Sequence, residues 1–155
     1  MTQRHLLIVA HAPSDNTKKL RDAVADGAQS PDIQGVEVVC RNPFEAEPED
    51  VLAAQAIILG TTENLGYMSG ALKDFFDRIY YPCLEQSEGL PYAVCTRAKH
   101  DGIGTQRGIE TIVTGLRWRS VQEPVICQGV WDDGFVPRCE ELGAGIAAGL
   151  EIGIF

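Results

Sequence analysis

Three short runs, Leu6-Leu7-Ile8-Val9-Ala10, Ala56-Ile57-Ile58-Leu59-Gly60 and Tyr92-Ala93-Val94-Cys95, carry no charge and almost no polar group on either parity. A strand with one face in water alternates apolar and polar side chains, and a strand covered on both faces does not. Such runs call for a parallel sheet with a layer on each side. Val36-Glu37-Val38-Val39-Cys40 and Val125 to Val130 read as two further strands. Segments of helical period lie between them. A helix is predicted from about Thr17 to Gly27, with Leu20 and Val24 on one face and Gly27 placed to end it. Leu72, Phe75, Phe76, Ile79 and Tyr80 fall at i, i+3, i+4, i+7 and i+8, and Pro82 stops that helix. Ile109, Ile112, Val113 and Leu116 repeat the spacing. Leu142, Ile146 and Leu150 mark one side of a last helix, weakened by Gly143, Gly145 and Gly149. Pro43 to Asp50 is an acidic, proline-flanked loop running into a short helix.

The β-α alternation requires a parallel sheet with helices on both faces, joined by right-handed crossovers. The 155 residues fit one domain, 1–155, with a core large enough to need no disulfides. A net charge of −9 argues against a nucleic-acid partner, which demands clustered Lys and Arg. The charge serves either solubility or an acidic face that meets a basic redox partner. Cys40, Cys83, Cys95, Cys127 and Cys139 form no C-x-x-C pair and no zinc spacing, so they are expected as buried thiols in a reducing cytoplasm, with no metal site. Leu6 to Ala10 is too short for a signal peptide, no membrane span is expected, and the expected location is cytoplasmic.

Three polar loops follow three of the strands. In open parallel sheets such loops converge on one crevice, where ligands bind. The first, His11-Ala12-Pro13-Ser14-Asp15-Asn16-Thr17, precedes a helix. It is either an anion site made of helix N-terminal amides or a plain helix cap by Asp15, Asn16 or Thr17. The second, Thr61-Thr62-Glu63-Asn64-Leu65-Gly66-Tyr67-Met68-Ser69-Gly70, has ten residues where a βα loop typically has about 2–6, and length of that kind is more often functional. Gly66 and Gly70 would let backbone approach a flat ligand that Glu63, Asn64 and Leu65 would line, with Ser69 capping the next helix; the alternative is an ordinary strand-to-helix connection. The third runs from Thr96 to Gly104 and contains the turn signal Asp101-Gly102. Gly102, Gly104 and Gly108 do not make a dinucleotide fingerprint, which belongs in the first βα turn. They form either a second wall of the site or an ordinary turn.

Other constellations are missing: there is no Walker A sequence, no G-x-S-x-G elbow, and no metal-ligand spacing among His5, His11 and His100. No side chain is assigned a catalytic role. His11 and His100 each follow a strand and can meet at the crevice. Arg97, Lys99, Arg107, Arg117 and Arg119 are either solvated or a landing site for the phosphates of a nicotinamide cofactor.

Asn16-Thr17 after a strand resembles the phosphate loop S-x-x-G-N-T of the flavodoxin-like FMN proteins. The stretch from Gly60 through Thr62, Gly66, Met68, Ser69, Gly70, Leu72, Lys73, Phe75, Asp77 and Arg78 resembles G-T/S-P-T-x-x-G-x-M-S-G-x-L/M-K-x-F-x-D-R. That pattern belongs to NAD(P)H-dependent FMN reductases and related quinone oxidoreductases. The resemblance implies a three-layer sandwich of flavodoxin type, a five-stranded parallel sheet in the order 2-1-3-4-5 with helices on both faces. It implies FMN as cofactor, with Ser14, Asn16 and Thr17 at the phosphate and Ala12 and Asp15 beside them in the same cofactor-binding loop. Thr61, Thr62, Glu63, Asn64, Leu65 and Gly66 would flank the flavin, and Thr96, Asp101 and Gly102 would approach it from the third loop. The chain departs from the pattern at Ala12 (often Ser), Asp15 (often Gly), Thr62 (usually Pro) and Leu65 (commonly aromatic). The implied activity is an NAD(P)H oxidoreductase that takes electrons from NADH or NADPH and passes them through FMN to a quinone or other small acceptor. The alternatives are a flavodoxin-type carrier docking to redox protein partners and a module of the same fold without FMN. Tyr80-Tyr81-Pro82 and Ile152 to Phe155 either pack within the monomer or form a homodimer contact.

Overall fold

A computed structural model describes residues 3–155. In chain order the elements are β1 (Arg4–Ala10), α1 (Asp15–Ala28), β2 (Val36–Arg41), α2 (Pro48–Ala53), β3 (Ala56–Asn64), β4 (Tyr67–Met68), α3 (Gly70–Cys83), β5 (Pro91–Ala98), α4 (Ile103–Leu116), β6 (Arg119–Ser120), β7 (Val125–Gln128) and α5 (Phe135–Ile152). The parallel sheet runs β2-β1-β3-β5, with β6 and β7 both pairing to β5 at the edge. β6 sits beside Pro91 and Tyr92, and β7 beside Cys95 to Ala98, so the two are halves of one edge position. Pro124 lies in the break, where an edge tolerates a residue without an N–H. The order 2-1-3-4-5 expected for the five main strands is the order observed.

The apolar runs are covered on both faces. Leu7, Val9, Ile57, Leu59 and Val94 point into one core with Leu72, Phe75, Phe76, Ile79, Ile109 and Val113 from α3 and α4. Leu6, Ile8, Ala56, Ile58, Ala93 and Cys95 point into the other, with Leu20, Val24, Leu142, Ile146 and Leu150 from α1 and α5. Burying a side chain such as Phe75 or Phe76 contributes about 2–3 kcal/mol. Arg78, near the end of the α3 motif, pairs with Asp74 at 2.7 Å and donates to the Ala46 carbonyl at 2.9 Å, tying α3 to the loop before α2. That part of the motif is structural. Among the described residues no helix is long and apolar enough to cross a membrane.

Several expectations change. Pro82 does not stop α3, which runs through it to Cys83, and Cys40 is exposed while the other four cysteines are buried. Gly27 does not end α1, which continues to Ala28, because Gly27 lies against the backbone of Glu140 on α5. Gly143 lies reciprocally against the backbone of Val24 and Ala28, and Gly149 lies under the Phe155 ring, so these two glycines permit packing rather than merely weaken α5. The second loop is not irregular. β3 runs on to Asn64 and turns back antiparallel into β4, pairing Glu63 with Met68 and Asn64 with Tyr67. Of the apolar tail and the Tyr80–Pro82 run, Phe155 packs into the molecule, while Tyr81, Ile152 and Ile154 stay exposed.

Candidate functional site

The carboxyl ends of β1, β3 and β5 meet at one edge of the molecule. The His11 amide donates to the Gly60 carbonyl at 3.0 Å, and Thr61 stands in register with Thr96. Ala10, His11, Thr17, Gly60, Thr61, Cys95 and Arg97 line a crevice of about 30 Å³ there, room for solvent and not for a ring system. His11 reaches this crevice and His100 does not.

The first loop caps α1 through Ser14 at the N-cap with Thr17 as its reciprocal partner, and not through Asp15 or Asn16. Ser14 Oγ accepts from the Thr17 amide at 3.2 Å, and Thr17 Oγ1 accepts from the Ser14 amide at 2.9 Å. This reciprocal box satisfies two of the orphan donors of a helix start. It leaves the Asp15 and Asn16 amides, the first two of the helix, without a hydrogen-bond partner among the described residues. Ala12 and Asn16 are half-buried beside them, and the Asp15 side chain is exposed.

The hairpin is fixed at its base and at its tip. Buried Thr61 donates to the Thr62 carbonyl at 2.9 Å and accepts from the Ser69 amide at 3.0 Å, while Ser69 Oγ caps α3 by accepting from the Leu72 amide at 3.1 Å. Thr62 Oγ1 bonds Asn64 Oδ1 at 2.9 Å. Glu63 reaches across to the third loop, where its carboxylate accepts from the His100 amide at 2.9 Å and the Gly102 amide at 2.8 Å. Bonds to an ionised acceptor are about twice as strong as neutral ones. Glu63 is therefore a brace between two loops. The tip rests on α4: Gly104 lies under the Gly66 carbonyl and Gly108 under the Tyr67 ring. A side chain at either of these α4 glycines would meet the hairpin.

Leu65 and Gly66 form the two-residue turn with φ of 53° and 76°. Positive φ at both positions is the I′ arrangement, which favours Asn-Gly. Leu65 is fully exposed, so nothing in the fold compensates for placing an apolar side chain there. Leu65→Asn is expected to stabilise the fold by about 1 kcal/mol, since the left-handed region costs an ordinary L-residue about 1–2 kcal/mol. A thermal melt should rise by roughly 2–4 °C, and an unchanged melt would show that the turn is not strained.

In the third loop Asp101 Oδ1 accepts from the Ile103 amide at 3.0 Å, and Gly102 takes φ 70° as the N-cap of α4. Four buried side-chain atoms lack a partner among the described residues: His11 Nδ1, Thr96 Oγ1, Thr105 Oγ1 and Gln106 Oε1. Burial holds the His11 pKa below its usual value, which favours the neutral ring. Thr105 and Gln106 were not singled out from the sequence, although two polar residues just after the third loop on the first turn of a helix are a usable signal. The five basic residues do not converge. Arg97 donates to the carbonyls of Ala98 and Cys127 and lies 5.2 Å from the Phe135 ring, while Arg119 lines a separate cleft at the amino end of the sheet.

No family model matches the chain. The chain is 38% identical over 74 residues to a protein named flavodoxin from Aquifex aeolicus, a match that covers 48% of this chain and 39% of that protein. It is 33% identical over 94 residues to a protein named NAD(P)H dehydrogenase (quinone) from Archaeoglobus fulgidus, covering 46% of this chain and 49% of that protein. The chain thus spans less than half the length of these relatives. A solved structure of a flavodoxin from the domain Archaea superposes with a TM-score of 0.75 at 19% identity, over 92% of this chain and 96% of that one. The chain has the flavodoxin-like fold, and its sequence relatives include proteins named flavodoxin and NAD(P)H dehydrogenase (quinone).

Proposed function

We propose that the chain binds FMN across the carboxyl ends of β1, β3 and β5 and acts as an NAD(P)H-dependent oxidoreductase toward a quinone or another small acceptor. The observation that carries this reading is the set of unsatisfied polar groups at that edge. Buried groups normally find partners. Among the described residues His11 Nδ1 and Thr96 Oγ1 on the strand ends, and Thr105 Oγ1 and Gln106 Oε1 on α4, have none. The unpaired Asp15 and Asn16 amides add an anion site. Gly66 and Gly70 have open space where a side chain would be, on the loop that would face a flat ring. The residues fit the cofactor.

The Ser14–Thr17 box holds the helix end so that its first two amides stay available to the phosphate. Asp15 weakens this site unless its carboxylate stays turned to water. Glu63 fixes the hairpin to the third loop, so the ring meets a preformed surface and not two mobile loops. Leu65 supplies an apolar contact at the tip, and its strained backbone is of the kind that concentrates at functional sites. FMN itself, when bound, accepts hydride and hands on electrons, and the protein supplies binding and orientation.

A carrier that docks to redox proteins is the second reading. The net charge of −9 and the exposed apolar tip at Leu65 favour it. One experiment separates the two. The protein is loaded with FMN, dialysed and titrated anaerobically with NADH and then NADPH. Retained flavin that either nucleotide bleaches is the expected result. Retained flavin that neither bleaches selects the carrier. A colourless dialysed protein overturns both.

A further inference from the structure

Three of the five cysteines meet on the α1–α5 side of the sheet, where the proposed flavin chemistry has no use for them. Cys95 comes from β5, Cys127 from its neighbour β7 and Cys139 from the start of α5. All three are buried. Cys95 Sγ lies 3.2 Å from Cys139 Sγ, and the three sulfurs lie within 4.8 Å of one another. A metal–thiolate bond of about 2.3 Å places the sulfurs of a planar three-coordinate site about 4 Å apart. That value lies above the one short pair and inside the 4.8 Å that bounds all three, so small side-chain rotations suffice to enclose an ion.

The donor set selects the ion. Among the described residues the group includes no fourth His, Cys, Asp or Glu. Structural zinc takes four ligands in a tetrahedron. Calcium and magnesium take oxygen. Thiolates alone select soft ions, of which monovalent copper is the one that suits a three-sulfur set. Thiolates bring negative charge into a buried place, which is costly unless it is offset. Two guanidinium groups lie against β7: Arg97 of β5 donates to the Cys127 carbonyl at 2.9 Å, and Arg138 of α5 donates to the Ile126 carbonyl at 3.3 Å. Cys95 also lines the strand-end crevice, which gives an ion a way in.

We propose that Cys95, Cys127 and Cys139 form a buried three-sulfur site for one Cu⁺ ion. Metal–sulfur bonds replace S–H bonds, the displaced protons leave to solvent, and no electron is transferred. The proposal does not depend on FMN.

The test uses the full chain carrying Cys40→Ser, which removes the exposed thiol, under anaerobic reducing conditions. Cu⁺ is supplied as its bathocuproine disulfonate complex. The protein is expected to withdraw one copper per chain and to melt at a higher temperature as free copper rises, because a ligand of the folded state alone stabilises it. Cys127→Ser and Cys139→Ser should each weaken binding by more than the roughly 10–100-fold that loss of an outer-shell partner costs. Cys83→Ala, in the opposite core, should leave it unchanged. X-ray absorption of the loaded protein should show three sulfur neighbours and no nitrogen or oxygen, a readout that needs no variant to fold. No copper withdrawn, fewer than three sulfurs, or a Cys95–Cys139 disulfide that persists in the reductant overturns the site.

Discussion

Gly143→Ala is expected to destabilise the fold by about 3 kcal/mol, whereas Gly145→Ala, two residues further along the same helix, should stabilise it by up to about 1 kcal/mol. The two differ in what a methyl group would meet. At Gly143 it would run into the Val24 carbonyl oxygen, with the Val24 carbonyl carbon at 2.9 Å and the Ala28 nitrogen at 3.0 Å. All three are backbone atoms of α1, so no side chain can swing aside. The only relief is to part α1 from α5, and that loosens Leu20, Val24, Leu142 and Ile146 together. Gly27 faces Glu140 in the same way, so the helices touch backbone to backbone at two points. Gly145 is exposed with nothing within 4 Å, and there alanine only removes backbone entropy from the unfolded chain. The expected fall in melting temperature for Gly143→Ala is roughly 6–12 °C, as about 2–4 °C accompanies each kcal/mol in a chain of this size. Equal melts for the two variants would mean that α1 and α5 do not cross where the structure places them.

That crossing also shows what the sequence could not reveal. A glycine that ends a helix and a glycine that admits a neighbouring helix look the same in one chain, so Gly27 reads as a stop until Glu140 is seen beside it. The sheet is different. Runs such as Leu6 to Ala10 and Ala56 to Gly60 are apolar on both parities, and that property alone demands two covering layers, which fixes the class of fold; the carboxyl-end edge is where such a fold is expected to carry a site. The hairpin was hidden because Thr61 to Asn64 are polar and because Leu65-Gly66 lacks the Asn-Gly or Asp-Gly signal of its turn. The Ser14 cap sits one residue before the positions its neighbours suggest, a shift of the size usual at helix ends. Cys95, Cys127 and Cys139 were invisible as a group for a topological reason: adjacent strands and a crossing helix bring together residues that no spacing rule connects.

The hairpin's seat on α4 carries the second large effect. Gly104→Ala is expected to lower FMN affinity at least about tenfold, since displacing positioned groups by about 1 Å can cost 10²-fold where geometry matters, while the overall melt moves little. A methyl group at position 104 would collide with the Gly66 carbonyl, a backbone atom at the turn. The hairpin tip has to lift, and Glu63 lifts with it. Its bonds to the His100 and Gly102 amides, at 2.9 and 2.8 Å, then lengthen, and the third loop loses its brace. Gly108→Ala is the matched control. There the collision is with the Tyr67 ring, a side chain that can turn away, so the effect should be smaller. Hydrogen exchange gives a readout independent of the flavin: the His100 and Gly102 amides should lose protection in Gly104→Ala and keep most of it in Gly108→Ala. Lost protection with unchanged FMN affinity would detach the hairpin from the cofactor and leave it as a docking element, whereas full protection in both variants would mean that the tip does not rest on Gly104.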